Sequence, residues 1–251
     1  AGATATRRRV GRAVAARRQA APGGAGAEGL AFAEYANWLL PGRVLVGRYP
    51  AVEPFNWCRG TAGAERQLGE ILAAGVTTFV SLQGELPPQD DPDAWPADGV
   101  PAPPPFDGAF LPYAGAATRL AAARGLGVIR FVHEPVPDGG APPVERMAAL
   151  VGGLRARLAA GERLYIHCWG GQGRAGTVAS CLYGALRGLD AAAAMAAVRA
   201  AYQTRFSFLD SPQSDEQRRC VAEFLRLPAP RCLDQAAAAS GSARRAPRAS
   251  G

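Results

Sequence analysis

Apolar residues along this chain follow two rhythms. Short apolar runs at Val44 to Gly47, Val76 to Leu82, Val128 to Val132 and Leu164 to His167 read as strands. Between them lie stretches with helical spacing. One covers Ala64 to Ala74 and is stopped by Gly75. Another is opened by Pro143, carries Val144, Met147, Val151, Leu154 and Leu158 on one face, and ends before Gly161. Three more helices are predicted over Ala175 to Arg187, Asp190 to Gln203 and Ser211 to Arg226. Strands alternating with helices predict an α/β fold, a mostly parallel central sheet flanked by helices in one domain. The domain is expected to span residues 28 to 234, between disordered tails at 1 to 27 and 235 to 251. Residues 86 to 116 are rich in proline and aspartate with few periodic apolar positions, which predicts a long surface loop.

The chemistry concentrates after the last strand. Residues 164 to 177 read LYIHCWGGQGRAGT, a strand, a cysteine, a glycine-rich turn, an arginine and the start of a helix. A five-residue turn of this kind can curl its N–H groups around a tetrahedral anion, with the helix N-terminus adding partial positive charge. Cys168 at the loop mouth is then a candidate nucleophile, and Arg174 offers a planar fork to two phosphoryl oxygens. Trp169, Gly170, Gly171, Gln172 and Gly173 would supply the cradle. The chain contains its own controls. Cys181 with Arg187 and Cys220 with Arg226 repeat the interval, but the residues between them are mostly apolar and read as helix interior.

At these residues the chain resembles the cysteine-dependent protein tyrosine and dual-specificity phosphatases, whose loop is His-Cys-x5-Arg. The segments NWLLPGRVLVGRYP (37 to 50), PVPDGG (135 to 140) and SPQSDEQR (211 to 218) resemble flanking motifs of a bacterial-type dual-specificity branch. The resemblance implies the phosphatase fold and hydrolysis of phosphotyrosine, with phosphoserine or phosphothreonine as further substrates, through a cysteinyl-phosphate. Cys168 would attack phosphorus while Arg174 and the loop amides hold the equatorial oxygens. His167 would help keep the thiol ionised. Asp138 would be general acid and then general base, with Glu134 and Asp107 in reserve. Gln213 and Gln217 match the paired glutamines that orient hydrolytic water; equally, Ser211 and Pro212 with Asp215 and Glu216 read as a helix cap and nothing more. No cofactor or metal is expected. One departure is Ala175, where the family usually carries Ser or Thr to help sulfur leave. It keeps two alternatives open: a phosphatase of a non-protein substrate such as a phosphoglucan, and a catalytically weak phosphatase-like binding module.

Charge narrows the partners. The net charge is +7, but residues 1 to 27 and 236 to 251 hold nine arginines and no acid, leaving 19 arginines against 21 acids in between. A nearly neutral core argues against nucleic acid, and the resemblance implies a phosphoprotein or small phosphoester as partner. Lysine is absent, and Trp169 and Gln172 are neutral, which disfavours a polyanionic lipid. Five unpaired-looking cysteines suit an intracellular, reducing compartment. The Arg- and Ala-rich start has the composition of an organellar transit peptide or of a disordered tail. No apolar run is long enough to span a membrane.

Overall fold

The computed structural model describes residues 29–50, 62–106, 108–206 and 208–227. The tails assigned to 1–27 and 235–251, together with Cys58, Asp107 and Cys232, lie outside the described residues. Six strands form the central sheet in the order β1 (Ala31–Ala33), β2 (Ala36–Leu40), β3 (Val44–Gly47), β8 (Leu164–His167), β4 (Thr78–Gln83), β7 (Arg130–Val136). The three pairings among β3, β8, β4 and β7 are parallel, and the β1–β2–β3 meander is antiparallel. A small antiparallel pair, β5 (Val100–Pro101) with β6 (Ala109–Phe110), stands apart.

The period-2 alternation of side chains divides two cores between the sheet faces. Val44, Val46, Val80, Leu82, Leu164 and Ile166 pack with α3 (Val144–Ala159), α4 (Gly173–Arg187), α5 (Ala191–Tyr202) and α6 (Asp215–Arg226). Leu45, Phe79 and Tyr165 pack the other way, with α1 (Ala62–Ala73) and α2 (Ala114–Ala123). Covered on both sides, β3, β4 and β8 are buried at every position, as the parallel strands of an α/β fold must be. β8 is thereby held from left and right as well as above and below, and its carboxyl end carries the candidate nucleophile.

Two corrections arise here. Residues 86–116 are more than a surface loop: Gln89, Trp95, Phe110 and Tyr113 are buried, and the segment runs into α2. Its core anchors are polar as well as aromatic. The Gln89 amide donates to the Tyr49 hydroxyl at 3.0 Å, its carbonyl accepts from the Tyr113 N–H at 2.9 Å, and the Trp95 indole donates to the Pro88 carbonyl. The second correction concerns α6, which begins at Asp215 rather than Ser211. Its N-cap is Ser214, paired with Gln217 in a reciprocal capping box.

Candidate active site

Cys168 leaves the end of β8, and the next five residues turn the chain into α4, whose first turn holds Arg174. Among the described residues no side chain caps the N-terminus of α4, so its leading amides remain available to an anion. Glycine is required at position 171: φ is +70°, and a Cβ there would lie 2.3 Å from the carbonyl carbon and oxygen of Gly47. The loop is thus laid directly against the end of β3.

Donors from three separate segments hold the loop carbonyls from behind. The Tyr49 N–H reaches the Trp169 carbonyl at 2.9 Å, Arg205 Nη2 the Gly170 carbonyl at 3.2 Å, and the Ser211 hydroxyl the Gln172 carbonyl at 2.7 Å. In a planar trans peptide the N–H points opposite to the C=O. The N–H groups of Gly170, Gly171 and Gly173 are therefore turned the other way, as an anion cradle needs.

On the front side, a pocket of about 170 Å³ is lined by Cys168, Trp169, Gly170, Gln172, Gly173 and Arg174, with Asp138, Phe106 and Gln213 completing its wall. Arg174 is buried, yet anchored through both terminal nitrogens. Glu85, just after β4, takes Nη1 at 2.5 Å and Nη2 at 3.0 Å; the Val136 carbonyl takes Nη1 at 3.1 Å, and Asp138 Oδ1 lies 3.0 Å from Nη2. Its Nε is buried and meets no hydrogen-bond partner among the described residues. Burial alone would weaken the guanidinium's charge, but the Glu85 hydrogen bond and the charges of Cys168, Glu85 and Asp138 outweigh it and raise its pKa. For Glu85, burial pushes upward and Arg174 prevails, holding the carboxyl below the usual range. Nothing in the sequence singles out Glu85.

The remaining expected residues divide. Asp138 reaches the pocket and Gln213 lines it. Gln217 does not: its carboxamide oxygen accepts from the N–H groups of Gln213 and Ser214, and its nitrogen donates to the Gly140 carbonyl. It is a capping residue, and the sequence carried the sign, since Ser214 and Gln217 stand at capping-box spacing. The Asp138 loop is latched to the start of α6 by two further bonds, Ser214 Oγ to the Gly139 carbonyl and the Ala141 N–H to Glu216. Glu134 is engaged by Arg146. Cys181 and Cys220 are buried free thiols inside α4 and α6, as their apolar surroundings require.

His167 stands behind the pocket, fully buried, its Nε2 2.6 Å from the Tyr113 hydroxyl. Burial pushes its pKa down to about 3; the Cys168 backbone opposes this and the nearby His133 and Arg174 add to it. The ring is neutral at physiological pH, so it supplies no positive charge to keep the thiol ionised, contrary to the sequence expectation. What it supplies is a rigid link from the nucleophile to Tyr113.

Residues 112–224 match the family described as Swiss Army Knife protein, DSP-PTPase phosphatase domain (PTP-SAK). Over 50 residues, 20% of this chain, the sequence is 42% identical to cyclin-dependent kinase inhibitor 3 of Sus scrofa and 40% identical to that of Rattus norvegicus. The match spans about a quarter (24%) of the length of each relative. The fold is similar to that of Tk-PTP in the active form, with a TM-score of 0.50 at 23% identity, covering 77% of this chain and 98% of that one.

Proposed function

We propose that this chain, whose residues 112–224 match a DSP-PTPase phosphatase domain family, is a phosphomonoester hydrolase that acts on phosphotyrosine, and on phosphoserine or phosphothreonine besides, through a cysteinyl-phosphate. The observation that carries the reading is the shared pocket: the sulfur-bearing Cys168 and the buried, anchored Arg174 face one space with Asp138 and Gln213. The aromatic pair Phe106 and Trp169, edge to face at 5.0 Å, forms an apolar wall suited to an aryl leaving group.

In the first step Cys168 Sγ forms a bond to phosphorus as the bond to the ester oxygen breaks, and Asp138 delivers its proton to that oxygen. The loop N–H groups and Arg174 hold the three equatorial oxygens as charge spreads over them. In the second step water attacks phosphorus, Asp138 takes its proton, Gln213 orients it, and the P–S bond breaks to return the sulfur. The chemistry calls for no metal. A phosphoprotein or small phosphoester is the partner this implies, in a reducing compartment where Cys168 stays a thiol.

One observation favours a second reading. Ala175 is buried at the position where a hydroxyl would assist sulfur, and the neighbouring hydroxyls are engaged elsewhere, Thr177 with the Gly173 carbonyl and Ser211 with that of Gln172. A protein that captures phosphate and releases it slowly would serve as a phosphate-recognition module. Hydrolysis of p-nitrophenyl phosphate by wild type and Cys168→Ser, in chelator and reducing agent, separates the two. Turnover lost in the variant supports the hydrolase; a folded wild type without turnover refutes it.

A further inference from the structure

Behind the phosphate loop stands a second arginine that the chemistry above does not use. Arg205 lies in the turn after α5, with its guanidinium over the rings of Tyr202 at 5.0 Å and Phe206 at 5.6 Å. Its Nη2 donates to the Gly170 carbonyl and its Nε to the Glu34 carbonyl at 3.4 Å, so one planar group bridges the loop to the β1–β2 turn. Its Nη1 is buried and has no partner among the described residues. Burying a guanidinium with an unused donor is costly, and methionine-like packing against two rings would fill the same space without that cost.

The loop's own geometry supplies the reason. The peptide between Gly170 and Gly171 is bounded by glycine on both sides, and a Cβ built on Gly170 meets nothing within 4 Å. Neither residue carries a Cβ to resist rotation of this peptide, although position 171 lies against the Gly47 backbone. A half-turn would point the Gly170 carbonyl into the anion cradle and remove the Gly171 N–H from it. The bond from Arg205 opposes that rotation, as the Tyr49 amide and the Ser211 hydroxyl hold the Trp169–Gly170 and Gln172–Gly173 peptides.

We propose that Arg205 is a positioning residue of the phosphate site: by holding the Gly170 carbonyl on the rear of the loop it aims the Gly171 N–H at the bound phosphoryl group. Burial draws its guanidinium down to about 10, with the phenols of Tyr202 and Tyr165 favouring the charge, and it stays cationic at neutral pH. Gly170 thus receives a charge-assisted bond, stronger than an amide would give. The inference rests on the pocket being a phosphate site and not on turnover.

The test measures inorganic phosphate binding by calorimetry in the full chain carrying Cys168→Ser, with and without Arg205→Met, which keeps the stem on the rings and drops the donors. The dissociation constant is expected to rise about tenfold or more, with the KM for p-nitrophenyl phosphate in the Cys168 protein rising alongside. Arg205→Lys, with its charge and one donor, is expected to recover part of the loss. Phosphate affinity within twofold of the parent in a folded Arg205→Met protein overturns the proposal. If that variant does not fold, the lysine variant decides: about threefold weaker binding supports the proposal and parental affinity overturns it. A wild type that binds phosphate with this dependence on Arg205 but hydrolyses nothing would refute the hydrolase reading alone. A parent that binds no phosphate overturns the inference.

Discussion

Asp138 Oδ1 sits 3.0 Å from Arg174 Nη2 although the aspartate side chain is 73% exposed and the arginine side chain 1%. The candidate acid is thus already over the pocket, and it shares the guanidinium with any phosphoryl oxygen that enters. Replacing it should separate its two effects. Asp138→Asn is expected to lower kcat by roughly 10²- to 10⁴-fold for phosphotyrosine and less for p-nitrophenyl phosphate, whose leaving group needs little protonation. Vanadate affinity should hold or improve, because a competing carboxylate charge is gone. Steady-state kinetics and a vanadate titration check both; full retention of phosphotyrosine turnover would move the acid elsewhere.

The phosphate loop offers a contrast between adjacent glycines. Gly171→Ala would force a left-handed residue to accept a Cβ 2.3 Å from the Gly47 backbone, whereas Gly170→Ala adds a methyl group to open space. The first is expected to lose about 2–4 kcal/mol of stability, combining backbone strain with the clash, and the second about 1 kcal/mol or less. Urea unfolding of the two variants reads the difference directly. Equal losses would mean that the loop does not lie against β3.

His167 makes stability depend on pH. Its pKa in the fold, about 3, lies below the unfolded value near 6.5, so between these limits the unfolded chain binds the extra proton. The stability associated with the neutral ring is complete above about pH 6.5 and falls as acid is added, by up to about 1.4 kcal/mol per unit from this group. Unfolding of wild type and His167→Gln at pH 7.5 and 5 isolates the contribution. The variant should show the shallower decline; identical slopes would mean that the ring takes up its proton in the fold as readily as in the unfolded chain.

Removing the other end of that bond tests the same link. Tyr113→Phe leaves the His167 Nε2 without the hydroxyl at 2.6 Å, in a site with no access to water. A cost of about 1–3 kcal/mol is expected for the unpaired ring nitrogen. Calorimetric melting should show it, and an unchanged midpoint would argue that the bond is not formed in solution.

Ala175→Ser restores a hydroxyl next to the loop arginine. Under the hydrolase reading it should speed decay of the cysteinyl-phosphate, and labelled phosphoenzyme trapped by acid quench should fall while steady-state turnover rises. If wild type accumulates no intermediate, breakdown is already fast and Ala175 imposes no delay.

How much of this was legible in the sequence differs by element. The strand at 164–167 and the glycine loop were plain because only a tight, φ-positive turn explains three glycines between Cys168 and Arg174. The helix at 144–159 was equally plain, its large apolar residues repeating on one face. Helix α2 was missed because its buried contacts are made by Ala117 and Ala121, which give little contrast against a background of alanine, and because prolines precede it. The first two strands were missed although residues 31–40 carry the aromatic Phe32, Tyr35 and Trp38; their pairing with β3 is a tertiary fact. Within the site, Gln217 could have been read as a cap from its spacing to Ser214, whereas Glu85 and Arg205 act across long sequence separations and leave no local pattern.

The three bonds between residues 139–141 and the first turn of α6 make that turn part of the acid loop's mechanics. To swing Asp138 away, the chain must either strip the cap from a helix or carry the helix end along. A change at Ser214 or Gln217 therefore reaches Asp138 through the chain, without touching the pocket itself.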